Sequence, residues 1–316
     1  MENVDVEPDS VCTFIIGTGR CGSTILAEAL ARHGEVGFIS NVDAYAAMLN
    51  PKGRWNNELY RLIPSIFQQR DRIRGGRTRQ ARLHYGPSEA WTMMSSQVSP
   101  LWTRPIRDLT AEDVTPWLER RFRRFFEERA SIQRKRVFLH KYTGWPRAGF
   151  VHRILPEAKF IHFVRDGRAV AASLMQRAWW LGYLGPPQWG FGELPEAYAA
   201  AWERSGRSFV ALAGLEWMLL MDAFEAARTR VPASNWIQVR YEDYVDDPRG
   251  TLETILAYMG LEWDAGYEKG FDRLPLAKSR TKGFRQELTP EQLTMLEALM
   301  TSHLDRLGYS VGPASK

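Results

Sequence analysis

The stretch VCTFIIGTGRCGSTILAEALARHG, residues 11–34, decides the fold of this 316-residue chain. Its first part is a short apolar run that predicts a buried β-strand, and STILAEALARHG predicts a helix that ends at a glycine. Between them lies the turn GTGRCGST, residues 17–24. In such a turn, backbone N–H groups and the N-terminus of the following helix point at one place and attract an anion. The stretch predicts a strand, a phosphate-binding loop and a helix, with a ligand-free glycine-rich turn as the alternative.

The loop lacks the lysine of a Walker A sequence. On the pattern G-x-x-x-x-G-K-[ST], Gly17, Gly22 and Thr24 fit, but Ser23 occupies the lysine position. An ATPase uses that lysine on the β- and γ-phosphates, so Ser23 argues against a triphosphate ligand. Arg20 supplies a cation inside the loop, which suits a smaller anionic group.

A second charged turn follows the apolar run AKFIHFV, which predicts another strand before a helix. Arg165 is expected at the carboxyl end of this strand, where ligands bind in open α/β sheets. Ser173 follows about two helical turns later, so its hydroxyl and the guanidinium can bind one phosphate. The alternative is that Arg165 pairs with Asp166 and Ser173 bonds back to its own helix.

The rest of the chain continues this alternation of strands and helices. RVFLHKY (136–142) and NWIQVRYED (235–243) predict strands, and RGTLETILAYMG predicts a helix that ends at Gly260. The pattern predicts an α/β fold with three layers, a central parallel sheet flanked by helices. No linker divides it, so we expect one domain over 1–316, with helical insertions at about 44–135 and 178–232.

Composition and cysteine content indicate an ordinary globular protein. The chain is 44% hydrophobic and 25% charged, which excludes a collagenous, low-complexity or largely disordered protein. Cys12 and Cys21 are too few for a disulfide framework. The acidic N-terminus has no apolar signal region and no apolar run is long enough to span a membrane. A cytoplasmic protein without a transmembrane segment is expected.

Charge and histidine patterns exclude little. The net charge is +5, and arginines cluster within 61–82 and 120–136. Such runs can bind nucleic acid, but solvated helix faces explain them more simply, so no nucleic-acid partner is expected. The six histidines have no zinc-ligand spacing, so no metal site is expected.

Four segments, in this order, resemble the sulfotransferases that use 3′-phosphoadenosine 5′-phosphosulfate (PAPS). These are IIGTGRCGST, FIHFVRDGRAVAAS, VRYEDYVDDP and SRTKGFRQELTPEQL, which together extend from residue 11 to about 295. The resemblance implies a P-loop-NTPase-like fold and sulfuryl transfer from PAPS to a hydroxyl or, less readily, an amine. It implies these donor-binding residues: Gly19, Arg20, Cys21, Gly22, Ser23 and Thr24 for the 5′ side, Arg165 and Ser173 for the 3′-phosphate, Tyr241 near the adenine, and Arg280, Lys282 and Gly283 closing over the 3′-phosphate.

The resemblance assigns the catalytic groups less completely. Arg20 and Lys141 correspond to cations beside the transferred group. Cytosolic members place a base histidine shortly after this lysine, but the segment 141–145 contains none. Bacterial and tyrosylprotein members, which this chain resembles more, use a glutamate after the first helix, where Asp43 is the nearest carboxylate. His140 is the competing base, although strand alternation turns it away from Lys141.

The acceptor is expected to be a small or lipid-like molecule that is partly apolar or aromatic. The segment 179–217 carries five tryptophans that can line such a pocket or pack a helical core. Two other functions stay open from the residues alone: a nucleotide kinase or NTPase with a degenerate loop, and a non-catalytic nucleotide-binding module. The sequence does not indicate an oligomeric state.

Overall fold

The computed structural model describes residues 10–44, 48–62, 86–272, 281 and 283–310. In these residues, five parallel strands form one sheet in the order β2-β3-β1-β4-β5. The strands are β1 (Val11–Gly17), β2 (Val36–Phe38), β3 (Val137–Thr143), β4 (Lys159–Val164) and β5 (Trp236–Arg240). The predictions of β1, β3, β4 and β5 are confirmed. Strand β2 was not predicted, because three residues are too few to show a strand pattern.

Helices cover both faces of this sheet, so the predicted three-layer α/β fold is confirmed. They are α1 (Ser23–Leu30), α2 (Asn56–Leu62), α3 (Trp91–Gln97), α4 (Pro100–Thr103), α5 (Pro116–Gln133), α6 (Ala148–Ile154), α7 (Gly167–Met175), α8 (Glu196–Arg204), α9 (Phe209–Arg228), α10 (Tyr241–Asp246), α11 (Pro248–Met259), α12 (Ala265–Phe271), α13 (Phe284–Glu287) and α14 (Pro290–Arg306).

Alternate residues of the central strand β1 enter two separate cores. Phe14 packs against Phe126 of α5, with ring centroids 5.3 Å apart, in the core that also contains α9 and α14. Its neighbour Ile15 belongs to the other core, with Leu26 of α1 and Leu252 of α11. A parallel sheet buried on both faces needs apolar residues at successive positions, which explains the continuous apolar run of β1.

Strand β1 lies at the point where the chain changes direction across the sheet. The chain builds β2 and β3 on one side of β1 and then β4 and β5 on the other. Gly17, the last residue of β1, pairs with Thr143 of β3, and its carbonyl accepts a hydrogen bond from the Gly144 N–H at 3.0 Å. A crevice forms beyond the carboxyl ends of strands at such a reversal and is the usual ligand site of open α/β sheets.

Helix α9 carries a buried carboxyl group that holds a tryptophan. The Trp180 indole N–H donates to Glu216 at 2.7 Å, and both side chains are buried. Burial raises the pKa of Glu216 to about 7. The sequence left open whether these aromatic residues line a pocket or pack a core, and Trp180 and Trp217 are both core residues.

Glu216→Gln should make the protein more stable at alkaline pH. Burial raises the pKa of Glu216 in the folded state to about 7, above the value of about 4.3 in the unfolded chain. The protonated carboxyl therefore contributes fully to the free energy of unfolding below the unfolded pKa, and this contribution is lost as the pH rises through about 7. Glutamine still accepts from Trp180 and does not ionise. Between pH 5 and pH 8 its stability advantage over wild type should grow by on the order of 2 kcal/mol, measured by urea denaturation. Glu225→Gln, at an exposed position of α9, is the control. Parallel pH curves for Glu216→Gln and wild type would contradict the prediction.

Candidate active site

The loop between β1 and α1 has the backbone of an anion cradle. Gly19, Arg20 and Gly22 have φ values of +83°, +54° and +94°, in the left-handed region. The carbonyl of Gly22 accepts from the Ile25 N–H at 2.9 Å and begins α1. Such a turn directs successive N–H groups towards one side, where the N-terminus of the helix adds its positive end. This geometry fits a phosphate group.

The buried side chain of Cys21 packs tightly against the start of the loop. The Cys21 thiol is buried, and a Cβ at Gly17 would lie only 2.6 Å from its sulfur. Burial raises the pKa of Cys21, so the thiol fills space rather than acting as a nucleophile. Ser23 is buried and Thr24 is half-buried at the start of α1.

The two charged turns predicted from the sequence meet in the structure. The Arg20 Nε donates to Ser173 Oγ at 2.9 Å, across 153 residues of chain. The Arg165 guanidinium donates to the carbonyl oxygen of Arg20, also at 2.9 Å. Two guanidinium groups and one hydroxyl therefore lie together beside the loop. This grouping suits a ligand with two separate anionic groups.

The structure decides between the alternatives for the second turn. Asp166 pairs with Arg168, whose Nη2 lies 2.8 Å from its carboxylate, and Asp166 also caps α7 by accepting from the Arg168 N–H. Arg165 is directed to the loop instead. The Ser173 hydroxyl accepts from Arg20. The local pairings considered as alternatives are thus replaced by contacts between the turns.

Tyr241 lies beside both turns. The guanidinium of Arg165 stacks over its ring at 4.6 Å, and Phe163 meets the ring edge-on. A Cβ at Gly22 would lie 2.6 Å from a ring carbon of Tyr241, so the loop approaches the ring as closely as glycine allows. Tyr241 begins α10 directly after β5, which brings it to the carboxyl edge of the sheet.

The late segment is described in part. Arg280 and Lys282 lie outside the described residues, whereas Gly283 precedes the short helix α13. The next residue, Phe284, is buried and packs under the guanidinium of Arg168 at 5.2 Å. Gly283 is therefore held next to α7, the helix that follows Arg165.

A glutamate that the sequence analysis did not identify lies beside the predicted lysine. Lys141 is buried near the end of β3, and its Nζ is 3.4 Å from Glu89 Oε1. The Thr143 hydroxyl donates to the same oxygen at 3.0 Å. A Cβ at Gly19 would lie 3.9 Å from Thr143 Oγ1, so this cluster borders the loop. Glu89 belongs to no motif, and no signal in the sequence connects it with Lys141.

The two residues predicted as possible bases are both buried among other side chains. His140 is buried against Phe126, with ring centroids 5.4 Å apart, and burial lowers its pKa to about 3. It lies on the face of β3 opposite to Lys141, as strand alternation predicted. An imidazole in this core does not reach the loop.

Asp43 is also buried, within a polar cluster beyond the edge strand β2. Its Oδ2 accepts from the Ser40 N–H at 3.0 Å and from the Asn56 amide at 2.9 Å. Burial raises its pKa to about 6, partly offset by these hydrogen bonds. Through these two hydrogen bonds Asp43 connects the turn at Ser40 to α2, which is a structural role.

Comparison with known proteins identifies the family. A model of the sulfotransferase family matches residues 13–265. The chain belongs to the sulfotransferase family. The matched range includes the loop, both charged turns and Tyr241, so the residues brought together at the sheet edge lie inside the family's shared region.

One curated protein and two solved structures are similar to this chain. Omega-hydroxy-beta-dihydromenaquinone-9 sulfotransferase Stf3 of Mycobacterium tuberculosis is 24% identical over 320 residues, covering 94% of this chain and 74% of that protein. The crystal structure of sulfotransferase STF9 from Mycobacterium avium has a TM-score of 0.58 at 15% identity and covers 96% of this chain and 78% of that one. STF1 from Mycobacterium tuberculosis has a TM-score of 0.51 at 17% identity, with coverages of 94% and 78%. The two structures share the fold of this chain.

Part of the aromatic segment borders the active-site edge of this sulfotransferase. A Cβ at Gly144, directly after β3, would lie 3.9 Å from the ring of Phe191, and Trp145 contacts the same ring with centroids 5.8 Å apart. Earlier in this segment, four large apolar side chains are 40–60% exposed: Trp179, Leu181, Tyr183 and Leu184. Exposed apolar side chains grouped in one segment mark a surface for an apolar ligand or partner.

Among the described residues, no group of three or more histidine, cysteine, aspartate or glutamate side chains could hold a metal ion. Nor is any described helix of this sulfotransferase both long and apolar enough to cross a membrane.

Proposed function

We propose that this sulfotransferase takes its sulfuryl group from PAPS. The observation that carries the proposal is the contact of Arg20 with Ser173, together with that of Arg165 with the Arg20 carbonyl. These bonds join two anion-binding turns from separate strands. PAPS has a 5′-phosphosulfate and a 3′-phosphate, and we assign the loop and Arg20 to the former and Arg165 and Ser173 to the latter. Serine at position 23 agrees with a donor that has no γ-phosphate.

The residues of the site supply positioning and charge. The loop N–H groups and Arg20 would hold the 5′ side, and Tyr241 would lie next to the adenine. Lys141, close enough to the loop to act electrostatically on Cys21, would stabilise the negative charge that develops on the phosphate oxygen as the sulfur leaves it. Such preorganised charge costs no rearrangement at the moment of reaction. The reaction we assign to them is transfer of a sulfuryl group to a hydroxyl, with release of adenosine 3′,5′-bisphosphate and without a metal.

The acceptor we propose is a hydroxyl group on a largely apolar, lipid-like molecule. The printed name of Stf3 states that it acts on a hydroxylated menaquinone, which is such a molecule. In this chain, the exposed cluster from Trp179 to Leu184 continues along the segment to Phe191, which lies against the end of β3. Apolar side chains placed so can bind the body of the acceptor while its hydroxyl enters the polar edge of the site.

Calorimetric titration without metal should separate the donor from other nucleotides. We expect adenosine 3′,5′-bisphosphate to bind about 100-fold more tightly than adenosine 5′-phosphate, because the 3′-phosphate adds charge-assisted hydrogen bonds to Arg165 and Ser173. ATP should bind no better than adenosine 5′-phosphate. A preference for ATP would instead favour the kinase alternative.

The acceptor class is tested with PAPS in the presence of a metal chelator. Farnesol, an isoprenoid alcohol, should be sulfated faster than glycerol, which offers hydroxyls without an apolar body. Equal rates for the two alcohols would contradict a lipid-like acceptor and leave the donor assignment intact.

A further inference from the structure

We propose that Glu89 is the general base of this sulfotransferase and that its carboxylate accepts the proton of the acceptor hydroxyl. This inference rests on the function proposed above and names the residue that completes it. Asp43 and His140, by contrast, are buried in contacts with other side chains.

Only the Thr143 side chain separates Glu89 from the anion-binding loop. Its Oε1 accepts from the Thr143 hydroxyl at 3.0 Å and lies 3.4 Å from Lys141 Nζ. The Thr143 side chain in turn faces Gly19, where a Cβ would be 3.9 Å from Oγ1. A group bound in the loop is therefore close to Lys141 and the Glu89 carboxylate together.

The position of Glu89 is fixed by contacts on both sides. The Trp91 indole N–H donates to Oε2 at 2.8 Å. Before it, the Ser88 N–H donates to the carbonyl of Ile39 at 2.8 Å, and the Ser88 hydroxyl donates to Asn41. These contacts attach the segment to the turn after β2, at the carboxyl edge of the sheet. The side chain of Glu89 is still 22% exposed, so a bound alcohol can reach it.

The chemistry of the step is balanced with these groups. The acceptor O–H bond breaks and its proton moves to a carboxylate oxygen of Glu89, while the acceptor oxygen forms a bond to sulfur. The bond between sulfur and the phosphate oxygen breaks, and its electron pair leaves with adenosine 3′,5′-bisphosphate. Among the described residues, two cations act on Glu89: Lys141 across the ion pair, and the buried Arg147, whose guanidinium is 5.8 Å from the Trp91 ring. Once Glu89 is neutral, the charge of Lys141 is no longer offset and acts fully on the leaving phosphate.

Asp43 is the natural comparison because it is the carboxylate to which the family resemblance points after the first helix. Its Oδ2 is committed to Ser40 and Asn56, and it is 6% exposed, in a cluster beyond the edge strand. Glu89, which is more exposed, contacts Lys141 directly. Geometry therefore favours Glu89.

The test compares Glu89→Gln with Asp43→Asn, which make the same change from carboxyl to amide at the two positions. Release of adenosine 3′,5′-bisphosphate from PAPS is followed with farnesol present. Affinity for the bisphosphate is measured separately by calorimetry. Glu89→Gln should lower kcat by about 100-fold or more, with little change in KM. Its affinity for the bisphosphate should be unchanged or a few-fold tighter, because a negative charge beside an anion site is lost. Asp43→Asn should keep the kcat of the wild type.

Three results would overturn the inference: a wild-type kcat in Glu89→Gln, a loss of kcat of about 100-fold in Asp43→Asn instead, or a tenfold loss of bisphosphate affinity in Glu89→Gln. The last would make Glu89 a positioning residue for the nucleotide. Failure of the proposed function is distinct, because it would show in the wild-type protein as no preference for the bisphosphate and no release from PAPS.

Discussion

Arg165→Ala should reduce affinity for adenosine 3′,5′-bisphosphate by about 100-fold or more. The guanidinium of Arg165 is held between the ring of Tyr241, at 4.6 Å, and the carbonyl of Arg20, at 2.9 Å. It is thus preorganised, and a phosphate that binds it gains charge-assisted hydrogen bonds without ordering a flexible side chain. Alanine removes those bonds and also loosens the loop at Arg20.

The decisive comparison is made within the variant. Adenosine 5′-phosphate lacks the group assigned to Arg165, so Arg165→Ala should bind it with a loss of about tenfold or less. Arg204→Ala, at an exposed position of α8, changes the net charge equally and should bind both nucleotides like wild type. If Arg165→Ala weakens both nucleotides by the same factor, the 3′-phosphate is bound elsewhere and Arg165 only supports the loop.

The elements around the donor site are predictable because each is encoded locally. β1 and β4 are apolar runs long enough to show a buried strand, and each ends in a turn with an arginine: Arg20 and Arg165. A parallel sheet collects the carboxyl ends of its strands at one edge, so two such turns on neighbouring strands are expected to meet there. Alternation along β3 likewise predicted that His140 and Lys141 face opposite sides.

The catalytic carboxylate is not encoded in this way. Glu89 lies 54 residues before Thr143, in a segment whose position is set by contacts of Ser88 with the turn after β2. Nothing in its own sequence neighbourhood indicates those contacts. The family resemblance instead pointed to Asp43, but the short 3-10 helix Asn41–Ala44 directs that side chain to Ser40 and Asn56. A residue that reaches a site through tertiary packing alone leaves no periodic or motif signal.

Gly22→Ala should weaken nucleotide binding strongly and destabilise the fold, through two separable costs. Gly22 has φ +94°, a conformation that costs an L-residue about 1–2 kcal/mol. An added Cβ would also lie 2.6 Å from the Tyr241 ring, forcing the ring or the loop to move. Because Arg165 stacks on that ring, the displacement reaches both phosphate sites. We expect a total loss of stability of about 3 kcal/mol and a loss of bisphosphate affinity of about 100-fold or more.

Gly190→Ala separates the two costs. Gly190 has nearly the same backbone conformation, φ +93°, but an added Cβ meets nothing within 4 Å. Its substitution should cost only the conformational part, about 1–2 kcal/mol in urea denaturation, and should leave bisphosphate affinity unchanged. Equal effects of the two substitutions on stability and on affinity would mean that contact between the loop and Tyr241 does not shape the site. If Gly22→Ala lowers both the stability and the bisphosphate affinity more than Gly190→Ala does, the close contact between the loop and the Tyr241 ring is what holds the two anion-binding turns together.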